Sequence, residues 1–171
     1  GRSVRRRRFQ APPAAPGARA PDKAILMYHG LPLEDFPFRP PRGPRGRPEA
    51  PEIVFAGRFV PKKGLPDLLA ALAGPELGPR PWRATLVGDG PDEEHVRRRI
   101  AELDLGARVR TEPPESGSRL RRRLATADVL VLPHRETPEG DRDGIPNIAL
   151  EAFALGVPVA GTTAGGMGEV L

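Results

Sequence analysis

The chain has 171 residues, a formal charge of +5 and no cysteine. Its length suits one domain able to bury about 70% of its unfolded surface, and the missing thiols exclude disulfides and thiolate metal sites. The charge does not argue for nucleic acid as a partner. Residues 1–50 hold eleven Lys and Arg against four Asp and Glu, and residues 51–171 hold sixteen against eighteen, so the excess lies wholly in the first fifty.

That first segment contains "RRRRF", "APPAAPGARA" and "RPPRGPRGRPEAPE". Such density of Pro, Gly and Arg predicts a basic, solvated tether over 1–22 and a linker over 23–50, with little aromatic interleaving for base stacking. A nucleic-acid-binding arm is the weaker reading. No apolar run reaches the ~18 residues of a membrane span, and no signal-peptide pattern opens the sequence. A cytoplasmic protein is therefore expected. The first residue is Gly rather than Met, and Leu171 stands where a new helix is expected to begin, so a fragment of a longer chain is expected too.

From Glu52 onward, short apolar runs alternate with helical patterns. "EIVFAG" predicts a strand and "LPDLLAALA" a helix closed by Gly74. "RATLVG" is the next strand, followed by a helix over 91–105. There Pro91 suits the first position, Asp92, Glu93 and Glu94 suit the positive end of the dipole, and Val96, Ile100 and Leu103 form a buried stripe. "ARVRT" predicts a third strand, 118–126 a basic helix, "DVLVLP" a fourth strand, 146–155 an apolar helix and "VPVAGT" a fifth strand. Strand and helix alternating in this way require parallel pairing and right-handed crossovers. The expected fold is a doubly wound, Rossmann-like α/β sheet, which binds ligands at the carboxyl ends of its strands.

Three of the loops at those ends carry chemistry. "GRFVPKKG" has Gly57 and Gly64 at its ends, while Arg58 offers a planar fork and Lys63 a point charge, both suited to phosphate oxygens; the bland alternative is a basic surface turn. In "VGDGP", Asp89 is read as a cap for the next helix before a ligand contact. The long loop "PHRETPEGDRDGIPN" runs into the apolar helix, and loops of that length are usually functional or mobile.

Glu151 stands among apolar neighbours in that helix, where a carboxylate is costly unless something binds it. With Asp143 it forms a pair able to accept hydrogen bonds from the hydroxyls of a sugar and a ribose. Alternatively, Arg58 or Lys63 neutralises it in a buried ion pair. The last loop, "TTAGGMGEV", offers Gly165 and Gly166 for close backbone approach and Glu169 at an expected helix start. Of the histidines, His95 is expected in solvent and His29 in a turn. His134, at a strand end, is the best placed of the three. No Ser/His/Asp set and no metal-ligand spacing is present.

Four motifs in order, "VFAGRFVPKKG", "ATLVGDGP", "ADVLVLP" and "DGIPNIALEAFALGVPVAGTTAGGMGEV", resemble the C-terminal, donor-binding domain of retaining glycosyltransferases of the GT-B fold, family 4. "DGIPN" is similar to exopolysaccharide transferases of the colanic-acid type. "KAILMYHGLPLEDFPF" is similar to the segment that joins the two domains there. The resemblance covers about 23–171 and implies a truncated donor domain over 51–171.

By that resemblance the catalytic residues are Arg58, Lys63 and Glu151. Arg58 and Lys63, with Gly57 beside them, would hold the diphosphate and stabilise charge on the leaving nucleoside diphosphate. Asp143 and the backbone of Gly144, Ile145 and Pro146 would hold the sugar. Glu151 would accept hydrogen bonds from the ribose.

The implied donor is a nucleoside diphosphate sugar, UDP before GDP by family habit, with no cofactor and no dedicated metal. The implied acceptor is a glycan or lipid-linked saccharide bound by an N-terminal domain absent from this chain, which leaves peripheral association with the inner face of a membrane open. Alone, the chain is expected to bind donor and transfer little sugar. Asp143 departs from the family's usual Glu by one methylene, Gly168 from a Pro and Pro32 from an Asp. Two other readings stay beside this one: a sugar-phosphate synthase or phosphorylase on the same fold, and a non-catalytic nucleotide-binding or interaction module.

Overall fold

The computed structural model describes residues 30–40 and 49–171. The tether expected over 1–22, most of the linker and His29 lie outside the described residues. The nine expected elements form in order. They are β1 (Glu52–Ala56), α1 (Leu65–Ala73), β2 (Arg83–Val87), α2 (Glu93–Glu102), β3 (Val109–Glu112), α3 (Gly117–Thr126), β4 (Val129–Leu132), α4 (Asn147–Leu155) and β5 (Val159–Gly161).

Pairing is parallel throughout, in the order β3-β2-β1-β4-β5. Successive strand residues point to opposite faces, and the core divides accordingly. Ile53, Phe55, Ala84 and Leu86 pack with Leu65, Leu68, Leu69, Leu72, Val96 and Ile100 of α1 and α2. Val54, Leu130 and Leu132 pack with Leu124, Ala149, Ala152 and Leu155 of α3 and α4. A sheet covered on both faces needs apolar residues at every position, which is why "IVFA" and "VLVL" do not alternate with polar residues. The four leucines of α1 recur at i, i+3, i+4 and i+7, one helical stripe, and each buried side chain contributes ~1.5–3 kcal/mol.

Several boundaries shift from the expected ones. α2 starts at Glu93 rather than Pro91, and Asp92 occupies its cap position without a side-chain cap bond. Asp89 is not a cap either: its carbonyl accepts the Phe59 N–H at 2.6 Å. The strand expected over 157–162 is shorter, because Pro158 has no N–H to donate, although its carbonyl still accepts from Leu130 at 2.9 Å. Glu169 ends a 3-10 turn (Gly165–Glu169) instead of starting a helix.

The chain runs outward from β1 through β2 to β3, then returns to the other side of β1 for β4 and β5. The two crossovers diverge between β1 and β4. In sheets of this kind ligands bind at that switch point, in the crevice at the carboxyl ends of the strands, and here the loops after β1 and β4 border it.

The two loops meet through backbone. Gly64 has φ +64°, and a Cβ there would fall 1.8 Å from the Pro133 carbonyl oxygen. Gly64→Ala should therefore destabilise the fold by well over the ~1–2 kcal/mol of left-handed strain alone. Gly140→Ala, at φ +81° with nothing within 4 Å of the added methyl, should lose only about that strain. Urea unfolding of both variants decides it, and equal losses would show that the Gly64 contact constrains nothing.

Candidate functional site

The loop after β1 is anchored before it reaches the crevice. Gly57 donates to the Val87 carbonyl at 3.0 Å, and Phe59 is fully buried, its N–H on Asp89 and its carbonyl accepting from Asp92 at 3.2 Å. Between them Arg58 is exposed; its carbonyl accepts the Val60 N–H at 3.1 Å, and its guanidinium makes no hydrogen bond or ion pair among the described residues. A 3-10 turn, Pro61–Lys63, then turns both lysines toward the loop after β4.

Lys63 Nζ donates to Asp143 Oδ2 at 2.6 Å, with both side chains more than four-fifths buried. Lys62 Nζ donates to Asp141 Oδ1 at 3.0 Å and stands 3.5 Å from Asp143 Oδ1. Arg135 completes the seam, its N–H on the Lys62 carbonyl at 2.9 Å and its Nε on that of Pro61 at 3.1 Å. Burial alone would raise the Asp143 carboxyl. The Lys63 hydrogen bond and charge, helped by His134 and Lys62, reverse this and hold it below the ordinary carboxylate range.

His134 is 2% exposed, and its Nδ1 lies 3.3 Å from Asp143 Oδ2 without forming a hydrogen bond. Burial, with the Lys63 charge next, pushes its pKa down to about 4 against the opposing pull of Asp143. Neutral imidazole is the form present at pH 7. Its carbonyl accepts the Thr162 hydroxyl from the segment after β5. His95, by contrast, is exposed on α2 beside Arg98.

Asp143 also faces the turn after β5. Gly166 donates to the Asp143 carbonyl at 3.1 Å. Gly165 has φ +60°, and a Cβ there would lie 2.0 Å from that same oxygen. The close approach expected of these glycines is thus to the chain's own backbone. A concavity of ≈ 430 Å³ opens beside the contact, lined by Glu136, Arg142, Asp143, Gly144, Gly165, Gly166 and Glu169. Another, of ≈ 310 Å³, lies along α3. Its Arg123 is pinned by Glu112 and Glu115.

Glu151 sits in the second turn of α4, ~6 Å along the axis from Asn147 at 1.5 Å per residue. It is half-buried and pairs with neither Arg58 nor Lys63, whose carboxylate is Asp143. Burial raises its pKa, and the charge of Arg121 opposes the rise. Gly144, Ile145 and Pro146 lead directly from Asp143 into α4, with Pro146 in the cap position. The crevice therefore brings Lys63, Asp143 and His134 into contact. The side chains of Arg58 and Glu151 form no hydrogen bond or ion pair among the described residues, although the Arg121 charge acts on Glu151. Lys62, Asp141 and Thr162 were not singled out from the sequence, where only the lysine pair and the repeated acids of "EGDRD" hinted at them.

A parallel α/β sheet with a basic and an acidic loop closed on each other at its switch point has the Rossmann-like architecture of a ligand-binding domain. Residues 50–171 match the family model of the glycosyl transferases group 1, and the chain belongs to that family. WcaL of Salmonella typhimurium, provisionally named a colanic acid biosynthesis glycosyltransferase, is 28% identical over 151 residues, 88% of this chain and 36% of its own. The GDP-mannose-dependent alpha-(1-6)-phosphatidylinositol monomannoside mannosyltransferase of Mycolicibacterium smegmatis is 36% identical over 129 residues, 74% of this chain and 33% of its own. The fold is that of Anabaena HepE in complex with UDP-glucose, with a TM-score of 0.70 and 23% identity over 91% of this chain and 42% of HepE. The chain thus spans about a third of the length of the curated relatives it matches.

The buried imidazole predicts a pH effect. The folded-state pKa of His134, about 4, lies below the ~6.5 of an unfolded histidine. Between these values the unfolded chain binds more protons, so stability is complete above pH 6.5 and is lost as pH falls toward 4. Thermal or urea unfolding from pH 7 to 4 should show a loss of ~2–3 kcal/mol, reduced in His134→Asn. An unchanged profile in that variant would assign the loss to other groups.

Proposed function

We propose that this chain is the donor-binding part of a retaining glycosyltransferase, which moves a hexose from a nucleoside diphosphate sugar to a glycan or lipid-linked acceptor. The observation that carries the reading is the seam at the switch point, where Lys63 and Asp143 meet at 2.6 Å. A cation that a carboxylate already neutralises there is a cation that a diphosphate can take. Arg58, exposed and with its guanidinium unpaired among the described residues, supplies a second positive group from the same loop. Together they offset charge that develops on the leaving nucleoside diphosphate.

In this reading Asp143 and the main chain of Gly144, Ile145 and Pro146 engage the sugar, while Glu151 accepts the ribose hydroxyls. Hydroxyl donors would relieve the burial that now raises the Glu151 pKa. The acceptor is held by a further domain, consistent with the greater length of the relatives. The reaction belongs to the cytoplasm, at the inner membrane face when the acceptor is lipid-linked. UDP is the first donor base to test and GDP the second.

The test is calorimetric titration of the folded chain with UDP, GDP and ADP, repeated on Lys63→Ala and Glu151→Ala. One diphosphate should bind. Lys63→Ala should weaken it by about tenfold or more, the ~1.5–3 kcal/mol of a charged hydrogen bond, and Glu151→Ala should weaken it as well. No binding to a chain that circular dichroism shows to be folded would overturn the proposal.

A further inference from the structure

His134 has no part in the reading so far, and its surroundings do not account for it as packing. Its Nδ1 is buried without a hydrogen bond, a destabilising condition that calls for an explanation in function. The atom nearest in charge is Asp143 Oδ2, at 3.3 Å. An ionised carboxylate only accepts hydrogen bonds, so a stable neutral imidazole in this position carries its proton on Nδ1.

The backbone around the ring is fixed on every side. Pro133 lies against Gly64, the Thr162 hydroxyl holds the His134 carbonyl, and the Arg135 N–H holds that of Lys62. Lys63 is the opposite case: its ammonium sits at the end of a four-carbon stem with free rotors. Of the two groups on Oδ2, one can leave and the other cannot.

The geometry points to His134 as a positioning residue for Asp143, whose buried Nδ1–H takes over Oδ2 when a ligand diphosphate draws Lys63 away. This rests on the donor-site reading above. Asp143 would then stay ionised and oriented, with Oδ1 turned to the sugar. Without His134 its Oδ2 would have no fixed donor behind it, and Lys62, 3.5 Å away on the Oδ1 side, would be the remaining cation.

The expected signature is a loss of affinity for the sugar and not for the diphosphate. UDP and UDP-glucose, and GDP and GDP-mannose, are titrated into the chain carrying His134→Leu, which fills the space without a donor, and His134→Asn, whose amide can replace Nδ1–H. His134→Leu should weaken the sugar nucleotide about five- to tenfold while leaving the diphosphate within about twofold, and His134→Asn should recover most of the loss. Nitrogen-15 NMR of the free wild-type chain should show the imidazole proton on Nδ1.

Equal losses for diphosphate and sugar nucleotide, or equal behaviour of the Leu and Asn variants, would overturn the assignment and leave His134 a packing residue. A bare Nδ1 in the spectrum would do the same. Lys63→Ala separates the two ideas. If it leaves diphosphate affinity unchanged, the donor-site reading fails. If it weakens the diphosphate while His134→Leu leaves the sugar nucleotide's advantage intact, only the positioning role fails.

Discussion

Lys63 and Asp143 stand 80 positions apart in the chain, and their 2.6 Å contact closes the crevice at the end of the sheet. It is not the contact that holds the two loops. A largely buried ion pair recovers little more than the desolvation of its members. The loops are aligned by neutral main-chain contacts around it: Gly64 against Pro133, Arg135 N–H on the Lys62 carbonyl, and Gly166 N–H on the Asp143 carbonyl. With the backbone fixed in this way, the ion pair is free to be exchanged. A charge pair that were itself the glue could not give up its cation without opening the site.

The same division holds in the layers beneath. Stability comes from the apolar faces, with Phe55, Leu69, Leu86, Leu130 and Leu132 almost fully buried between helices. The polar groups that resist burial gather at the carboxyl end of the sheet. Glu151 shows this most plainly. α4 buries Ala149, Ala152 and Leu155, and an alanine at 151 would keep the helix without placing a carboxylate where burial raises its pKa. Its presence makes sense as part of a site, since it adds nothing to the core.

Much of the fold was legible because it rests on local pattern. The runs "IVFA" and "VLVL", the leucine stripe of α1 and the placing of Pro and Gly between elements carry strand, helix and turn without long-range information. Strand order was not legible, because it depends on which residues pair across the sheet. The switch point between β1 and β4 therefore could not be located, only the loops that border it. Residue types marked Lys63, Asp143 and Glu151 as candidates, but which carboxylate Lys63 meets is a matter of loop geometry. Asp143 takes that place and Glu151 does not. The His134 environment was hidden for the same reason. A histidine at a strand end looks alike whether it faces solvent or, as here, is buried beside Asp143 with its carbonyl held by Thr162.

Asp143 shows how side-chain length and fixed backbone act together. Its carbonyl is held by Gly166 and its carboxylate by Lys63 and Lys62, with His134 beside it, so a one-methylene reach leaves it little freedom. Asp143 also lines the concavity of ≈ 430 Å³, and a glutamate there would reach one methylene further. The shorter acid remains close to the cations and needs a ligand to come to it. Under the proposed function the cluster has two states of charge. In the free chain the lysines neutralise Asp143. Under the proposed function, an anion in the crevice would draw the lysines and leave the carboxylate to the buried donor beside it.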